Sequence, residues 1–281
     1  LLRKQFNPVP YLIALAIASN IGAGATLIGN PQNMMISQIA HLDFGRYLLW
    51  SIVPVTLSLV AAWAIIKALS ARHWREAHSA VAESARPTYP FNKIHTIKGI
   101  IILAISVGLF FTREPKEIIA LAAAGIHLAS TKFRTDDLLG LVDWPILVLF
   151  IGLFVVAGAF QSTGFGDEAV GWLAREGFNL NTPGNLILTT AVLSNAIGNS
   201  AAVMLLLKIV TLVPAVAAYV LALANSFGGS AIIVGSVSNI IVAQQAREMG
   251  IKIGFWDFAL VGIPVTVTAL AILFAWAILI G

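Results

Sequence analysis

The chain contains no cysteine and few charged residues, and each shortage excludes a class of protein. Without a thiol it has no disulfide, no thiolate metal site and no cysteine nucleophile. Charged residues make up 11% of the 281 residues, whereas an ordinary soluble domain has about 25%. Hydrophobic residues reach 58% and the mean hydropathy is +0.89. The composition therefore predicts a polytopic membrane protein.

Sequence signals for nucleic-acid binding and for catalysis are also missing. The pI is near 9.5, but the basic residues are not interleaved with aromatic residues as in nucleic-acid-binding surfaces. Ser200 and Ser230 lie in glycine-rich surroundings without a GxSG context, and no HExxH motif occurs. These observations argue against a nucleic-acid partner and against an intramembrane enzyme, with no catalytic residue predicted.

The distribution of lysine and arginine predicts a multi-pass topology in the bacterial inner membrane. Residues 67–98 form the largest polar stretch, and the positive-inside rule places it in the cytoplasm because it holds Lys67, Arg72, Arg75, Arg86, Lys93 and Lys98. Counting crossings from there puts residues 37–51 and 161–185 outside. The same count puts Arg247 and Lys252 inside.

Two glycine-rich segments repeat each other 206 positions apart. SNIGAGATLIGNPQN (residues 19–33) and NSFGGSAIIVGSVSN (residues 225–239) match at Gly22 and Gly228, Ala25 and Ala231, Gly29 and Gly235, and Asn33 and Asn239. Each is followed by a loop and an apolar stretch that we expect to open a helix with a proline, Pro54 or Pro264. A duplicated, interrupted apolar segment indicates the binding site of a secondary transporter.

The predicted fold is an all-α polytopic membrane protein built from inverted repeats, with a re-entrant hairpin and discontinuous transmembrane helices. Residues 1–70 are interpreted as the remnant of the first repeat and residues 71–97 as a cytoplasmic linker. Residues 98–281 form the second repeat, with three helices, a hairpin at 186–212, a broken helix at 213–245 and a final helix at 258–280. If the hairpin instead crosses fully, the repeats are parallel. Comparing the repeats predicts that roughly 110 residues precede Leu1.

The interrupted segments and the hairpin tip are the predicted site. Inside a membrane, non-helical backbone persists only where it lines a cavity or is buried in protein, and opened helices offer amides to anions and carbonyls to cations. The alternative is that glycine and serine only allow close helix packing. The predicted substrate or ion ligands are Ser19, Asn20, Gly22, Thr26, Gly29, Asn30, Asn33, Ser194, Asn195, Asn199, Ser200, Asn225, Ser226, Gly228, Ser230, Gly235, Ser236, Ser238 and Asn239. No resident metal is predicted, although sodium suits the carbonyls of the broken helices.

Four stretches carry a resemblance to a known superfamily, namely ATLIGNPQNMMI (25–36), VDWPILVLFIGLFVVAGAFQSTG (142–164), LSNAIGNSAAVMLLL (193–207) and GSVSNIIVA (235–243). The chain resembles the ion transporter superfamily of arsenite permeases, NhaD-type sodium/proton antiporters and citrate or dicarboxylate carriers. It looks most similar to bacterial arsenite-type or generic anion permeases. The resemblance implies two hairpin tips and two broken helices around the substrate, with a scaffold that is often dimeric. The family's first hairpin, whose motif often contains an aspartate, has no counterpart here.

Residues and resemblance together predict a secondary active transporter that moves a small anion or oxyanion-like solute by alternating access. Arsenite, antimonite and carboxylates such as citrate all remain candidates. Sodium/proton antiport is the alternative, and it requires a buried carboxylate that the apolar segments lack. No cofactor is predicted, and the coupling ion is sodium or a proton. The expected partners are the solute, the lipid bilayer, a second copy of the chain and, for an arsenite-type protein, an energising ATPase subunit.

Overall fold

The computed structural model describes residues 7–70, 93–112, 114–128, 139–140, 142, 144–164, 168, 171–172, 175, 179–210, 212 and 215–280. These residues form helices joined by loops, and no strand occurs in any of the described ranges. The all-helical prediction is confirmed for this part of the chain. Most of the predicted linker, residues 71–92, lies outside the described residues.

The helices of the first part of the chain are α1 (Val9–Ala23), α2 (Pro31–Ile39), α3 (Phe44–Ser70), α4 (Lys93–Leu109), α5 (Lys116–Leu128) and α6 (Trp144–Ser162). The later elements are α7 (Pro183–Ile197), α8 (Asn199–Ile209), α9 (Ala215–Gly228), a 3₁₀ turn (Ile233–Gly235), α10 (Val237–Glu248) and α11 (Phe255–Ile280). Helix α4 begins within the stretch predicted as linker. The predicted hairpin corresponds to α7 and α8, and the second predicted broken helix to α9 and α10.

The chain divides into two compact units. One unit contains Ser84–Gly152, in which α4 packs against α5 and Lys98 Nζ donates a hydrogen bond to Ile126 O at 3.2 Å. The other unit contains Leu1–Glu83 and Leu153–Gly281. All the predicted site residues belong to this larger unit.

Helix α9 is the centre of the larger unit. Its residues from Ala218 to Gly228 are all buried, and it contacts α1, α2, α3, α7, α8 and α11. Alanine and glycine give this helix a thin profile, so neighbouring backbones can approach closely, as in membrane helix packing. At Gly228, an added Cβ would lie 3.0 Å from Ala191 Cα of α7.

Helices α3 and α11 pack against each other in opposite directions. The Trp276 indole, near the end of α11, donates a hydrogen bond to Trp50 O, near the start of α3, at 3.0 Å. Both helices are long and apolar enough to cross a membrane, with mean hydropathies of 2.1 and 2.4. Large apolar side chains such as Leu49 and Leu260 remain exposed on them. Such faces suit contact with lipid rather than water.

The prediction that these two helices open with a proline is wrong. Helix α3 begins at Phe44 and α11 at Phe255, so Pro54 and Pro264 lie inside them. The N-terminus of α3 is fixed by Asp43, whose Oδ1 accepts a hydrogen bond from Arg46 N at 2.8 Å. An interior proline removes one main-chain hydrogen bond, which membrane helices tolerate when neighbouring groups compensate.

Candidate functional site

The first interruption, residues 24–30 between α1 and α2, is held together by Asn33 and is called the first break. The fully buried Asn33 donates from Nδ2 to Ala23 O at 3.3 Å and to Thr26 O at 3.1 Å. Asn30 caps α2, because its Oδ1 accepts from Asn33 N at 2.7 Å. The side chain of Asn33 thus provides donors to carbonyls of a segment in which the regular helical hydrogen bonds have ended.

Helix α3 supplies two further donors to the first break, which the sequence analysis missed. The buried Tyr47 hydroxyl donates to Gly24 O at 2.7 Å, and Ser51 Oγ donates to Ala25 O at 2.8 Å. Residues four positions apart share one helix face. A tyrosine and a serine one turn apart on an apolar helix were the available sequence signal.

The second interruption, residues 229–236 between α9 and α10, is called the second break and makes the same internal bonds. Asn239 donates from Nδ2 to Gly229 O at 2.8 Å and to Ile232 O at 2.9 Å. In both breaks the backbone bonds to the carbonyl three residues earlier, at residues 24, 25 and 29 and at residues 230, 231 and 235. Asn30 and Ser236, which precede α2 and α10, have the same extended backbone conformation. The two segments have the same local structure.

Two glycines are needed because the chain passes close to itself. A Cβ at Gly29 would collide with Ala23 O, and a Cβ at Gly235 would lie 3.1 Å from Gly229 O and 2.5 Å from Asn195 Oδ1. Neither glycine has a positive φ angle. The glycines of the breaks therefore allow close contact rather than an unusual backbone conformation.

The two breaks contact each other directly through side chains. Asn20 of α1 donates from Nδ2 to Asn239 Oδ1 at 2.8 Å and accepts from Ser236 Oγ at 2.8 Å. Asn30 Nδ2 donates to Ser226 Oγ of α9 at 2.9 Å. The structure therefore brings together residues that lie about two hundred positions apart in the sequence.

The segment joining α7 to α8 packs against the second break. Only Gly198, with φ +87°, separates these two helices. Asn195 donates from Nδ2 to Gly228 O at 2.9 Å, and Ser194 Oγ donates to Asn225 Oδ1 at 3.0 Å. Ser200, in the first turn of α8, accepts from Gln32 Nε2 of α2 at 2.7 Å. The tip thus contacts elements from both breaks.

Several buried polar atoms at this junction have no hydrogen-bond partner within the described residues. They are Asn33 Oδ1, Asn195 Oδ1, Asn199 Oδ1, Asn225 Nδ2 and Ser230 Oγ. Leaving a buried polar group unpaired costs about 1–3 kcal/mol. Two further buried atoms without a partner in the described part of the chain, Trp50 Nε1 and Ser58 Oγ, belong to α3. The concentration of unpaired atoms at one junction indicates a capacity to bind a polar ligand.

Four of the predicted ligands contribute to this junction only through backbone atoms or not at all. Ser19 is exposed, and an added Cβ at Gly22 would meet no atom within 4 Å. Thr26 contributes its backbone carbonyl, and Ser238 contributes a backbone amide that bonds to Ser236 Oγ at 3.3 Å. Among the described residues, no group of three or more His, Cys, Asp or Glu side chains could hold a metal ion.

The chain is similar to known membrane proteins along most of its length. The family model described as "Citrate transporter" matches residues 1–219. A 46 kDa membrane protein of Mycobacterium leprae is 29% identical, and the match covers 96% of this chain and 67% of the relative. An uncharacterized transporter of Mycobacterium tuberculosis is 31% identical with the same coverage. Another, from Synechocystis, is 24% identical over 95% of this chain and 68% of the relative.

These matches support a membrane location and a transport role, and they include no relative named as an arsenite permease. The family match covers more than half of the chain and includes the first break and the α7–α8 tip. The chain belongs to the citrate transporter family.

Proposed function

We propose that the chain is the core of a secondary active transporter that carries a small carboxylate anion of the citrate class across the bacterial inner membrane. The carrying observation is the set of buried, unpaired amide and hydroxyl atoms where the two breaks meet the α7–α8 tip. A ligand that pairs these atoms would recover the cost of their burial. The family match favours a carboxylate over arsenite or antimonite as that ligand.

The electrostatics of the junction suit an anion. Helices α2, α8 and α10 all begin there, and the bond between Gln32 and Ser200 joins the first turns of α2 and α8. A helix N-terminus carries a partial positive charge and free main-chain amides. Residues 19–33, 193–207 and 225–239 contain no charged side chain. Recognition would therefore use dipoles and amides, such as the unpaired Asn225 Nδ2, instead of lysine or arginine.

The unpaired acceptors favour sodium as the coupling ion. Three amide oxygens, those of Asn33, Asn195 and Asn199, and the Ser230 hydroxyl are hydrogen-bond acceptors without partners in the described part of the chain. Hard cations prefer oxygen ligands of this kind. Proton coupling requires a titratable group, which the three polar segments of the site lack and which would have to come from another element, such as the family's first hairpin.

Inverted repeats and alternating access form the mechanistic part of the proposal. The breaks make corresponding hydrogen bonds at a constant spacing, and the helices that follow them, α3 and α11, run in opposite directions. Such a pair can exchange conformations so that the solute site opens first to one side of the membrane and then to the other.

A groove between α1 and α3 has no helix packed over it within the described ranges of the chain. A cavity of about 540 Å³ lies between α1 and α3, lined by Ala14, Ala18, Leu59, Ala62, Trp63, Ile66 and Lys67. The corresponding helices α9 and α11 are covered by α7, whose Gly184 approaches Phe274 so closely that a Cβ would lie 3.1 Å away. In the proposed inverted arrangement, this groove corresponds to the surface of α9 and α11 that α7 covers.

Transport by purified protein in proteoliposomes tests the proposal. Uptake of radiolabelled citrate, succinate and arsenite is measured under an imposed sodium gradient, an imposed proton gradient or neither. The expected result is sodium-stimulated uptake of a carboxylate that excess unlabelled citrate inhibits. Empty liposomes are the control for leakage.

Each alternative gives a different result in the same assay. Uptake of arsenite alone would make the substrate assignment wrong. Sodium-driven proton movement without any organic solute would instead indicate sodium/proton antiport. Folded protein that moves none of these solutes under any gradient would overturn the proposed transport function.

A further inference from the structure

The contact between the two breaks includes two Asn–Ser pairs, in which asparagine and serine exchange places between the two repeats. Asn20 bonds to Ser236, and Asn30 bonds to Ser226. At the 206-residue spacing of the two segments, position 226 corresponds to position 20 and position 236 to position 30. Each pair therefore joins a residue late in one helix to the residue that caps the other repeat's second helix. Such reciprocal contacts are the signature of a two-fold interface.

The side chains of these pairs are engaged within the protein. Asn20 uses Oδ1 for Ser236, and its Nδ2 bonds to Asn239 Oδ1 and, at 3.4 Å, to Gly229 O. Ser226 Oγ donates to Ala222 O at 2.9 Å while it accepts from Asn30. Asn20, Ser226 and Ser236 are buried. These residues have little capacity left for a ligand.

We propose that the two Asn–Ser pairs are positioning residues, which keep the two breaks at a fixed separation while the unpaired atoms beside them bind the solute. This inference rests on the proposed transport function. It reassigns Asn20, Asn30, Ser226 and Ser236 from direct binding to support. The direct ligands are then the side chains with unpaired atoms, Asn33, Asn195, Asn199, Asn225 and Ser230.

The pairs also explain why the two breaks differ chemically. Asn20 is long enough to bond to both Ser236 and Asn239, so Asn239 Oδ1 has a partner. The corresponding Ser226 has no amide to offer, and Asn33 Oδ1 is unpaired. The exchange of Asn for Ser between the pairs thus leaves the amide oxygen of Asn33 unpaired, whereas the amide oxygen of Asn239 has a partner. A solute or ion would bind asymmetrically between two segments of the same local structure.

The molecule itself suggests the decisive variant, because each pair shows the arrangement that the other would have after exchange. The single variant Asn20→Ser leaves two serines facing each other, which are too short to meet. The single variant Ser236→Asn leaves two asparagines, which are too long for the same separation. The double variant Asn20→Ser with Ser236→Asn recreates the geometry of Ser226 and Asn30, and asparagine is as good an N-cap as serine. The test is to determine KM and kcat for citrate in proteoliposomes, together with the melting temperature in detergent, for each variant and the wild type.

A positioning role predicts that each single variant raises KM by at least about ten-fold, which corresponds to the loss of one buried hydrogen bond. Asn20→Ser should have the larger effect, because Asn20 bonds to Asn239 as well as to Ser236. The double variant should restore KM to within about three-fold of the wild type, although Asn239 Oδ1 then lacks its partner. Asn30→Ser, which removes a single bond of the other pair, should also raise KM. It provides the same test if Asn20→Ser does not fold.

The possible outcomes separate this inference from the proposed function. Wild-type protein that transports no solute contradicts the proposed function. If the wild type transports citrate, an unchanged KM in the folded single variants overturns the positioning role, as does a double variant no better than the singles. A lower melting temperature with unchanged KM and kcat would show that the pairs serve stability alone, which also overturns it.

Discussion

The side-chain amides of Asn33 and Asn239 each bond to two backbone carbonyls, and in both cases these belong to the residues ten and seven positions earlier. Each amide therefore spans a whole break and fixes its path. In an apolar environment these carbonyls have no water to replace the amide. The two asparagines act first as internal supports, whatever the free Asn33 Oδ1 binds.

Replacing Asn33 or Asn239 by alanine should destabilise the protein. Each substitution removes two amide-to-carbonyl hydrogen bonds, at about 0.5–1.5 kcal/mol for each, although Thr26 O and Ile232 O keep a main-chain donor. Asn239→Ala also removes the acceptor for Asn20. We expect a lower melting temperature in detergent and loss of transport for both variants, with the larger effect at Asn239. Asn185→Ala is the matched control, because its amide also donates to a carbonyl but at an exposed site. Equal melting temperatures for Asn33→Ala and Asn185→Ala would contradict the supporting role.

Ser230→Ala should reduce transport without reducing stability. The Ser230 hydroxyl is fully buried and unpaired, so its removal takes away a desolvation cost instead of a hydrogen bond. If it binds solute or ion, KM for one of them should rise by about ten-fold. Ser58→Ala is the control, since Ser58 also has a buried, unpaired hydroxyl but lies on α3, about two helical turns after Ser51. A similar KM change in both variants, or in neither, would remove Ser230 from the ligand set.

Gly262→Ala should distort the second break from outside it. A Cβ at this position of α11 would lie 2.5 Å from both Ser230 O and Ala231 O, which are backbone atoms that cannot rotate away. Overpacking of this kind costs about 1–3 kcal/mol. Alanine at Gly108 of α4 meets nothing within 4 Å and should be neutral or slightly stabilising. The melting temperatures of the two variants test the contact, and a Gly262→Ala protein as stable as Gly108→Ala would show that α11 does not pack against the break.

The sequence identified the breaks because their signals are local. The Gly29-Asn30-Pro31 step and the repeated asparagines predicted where α1 ends and where α2 begins. Contacts from other helices have weaker signals, such as the polar Tyr47 and Ser51 one turn apart on an apolar helix, and these two residues and Gly262 were missed. Their importance comes from which carbonyls they meet, and that depends on how α3 and α11 pack. The prolines led to a wrong prediction of the helix starts. Helix α3 begins well before Pro54, because Asp43 caps it one residue before Phe44.

The side chains paired between the breaks were also beyond local reasoning. The sequence placed Asn20, Asn30, Ser226 and Ser236 beside the breaks but could not show that they bond to each other. Two residues about two hundred positions apart reveal a contact only when the fold is known. Their engagement changes the predicted ligand set more than any error in helix boundaries.

Cysteine labelling tests the opposite orientation of the repeats, and the absence of native cysteine makes each introduced thiol unique. Because Trp276 bonds to Trp50 O, the start of α3 and the end of α11 lie at the same end of the helix pair. Arg46→Cys and Ile280→Cys should therefore react with a membrane-impermeant maleimide from one side. Lys252→Cys, which precedes α11, should react from the other. The charge distribution assigns the first side to the cell exterior, so intact cells should label positions 46 and 280 and everted vesicles position 252. Labelling of positions 46 and 280 from opposite sides would contradict the antiparallel packing of α3 and α11, and with it the inverted arrangement on which alternating access depends.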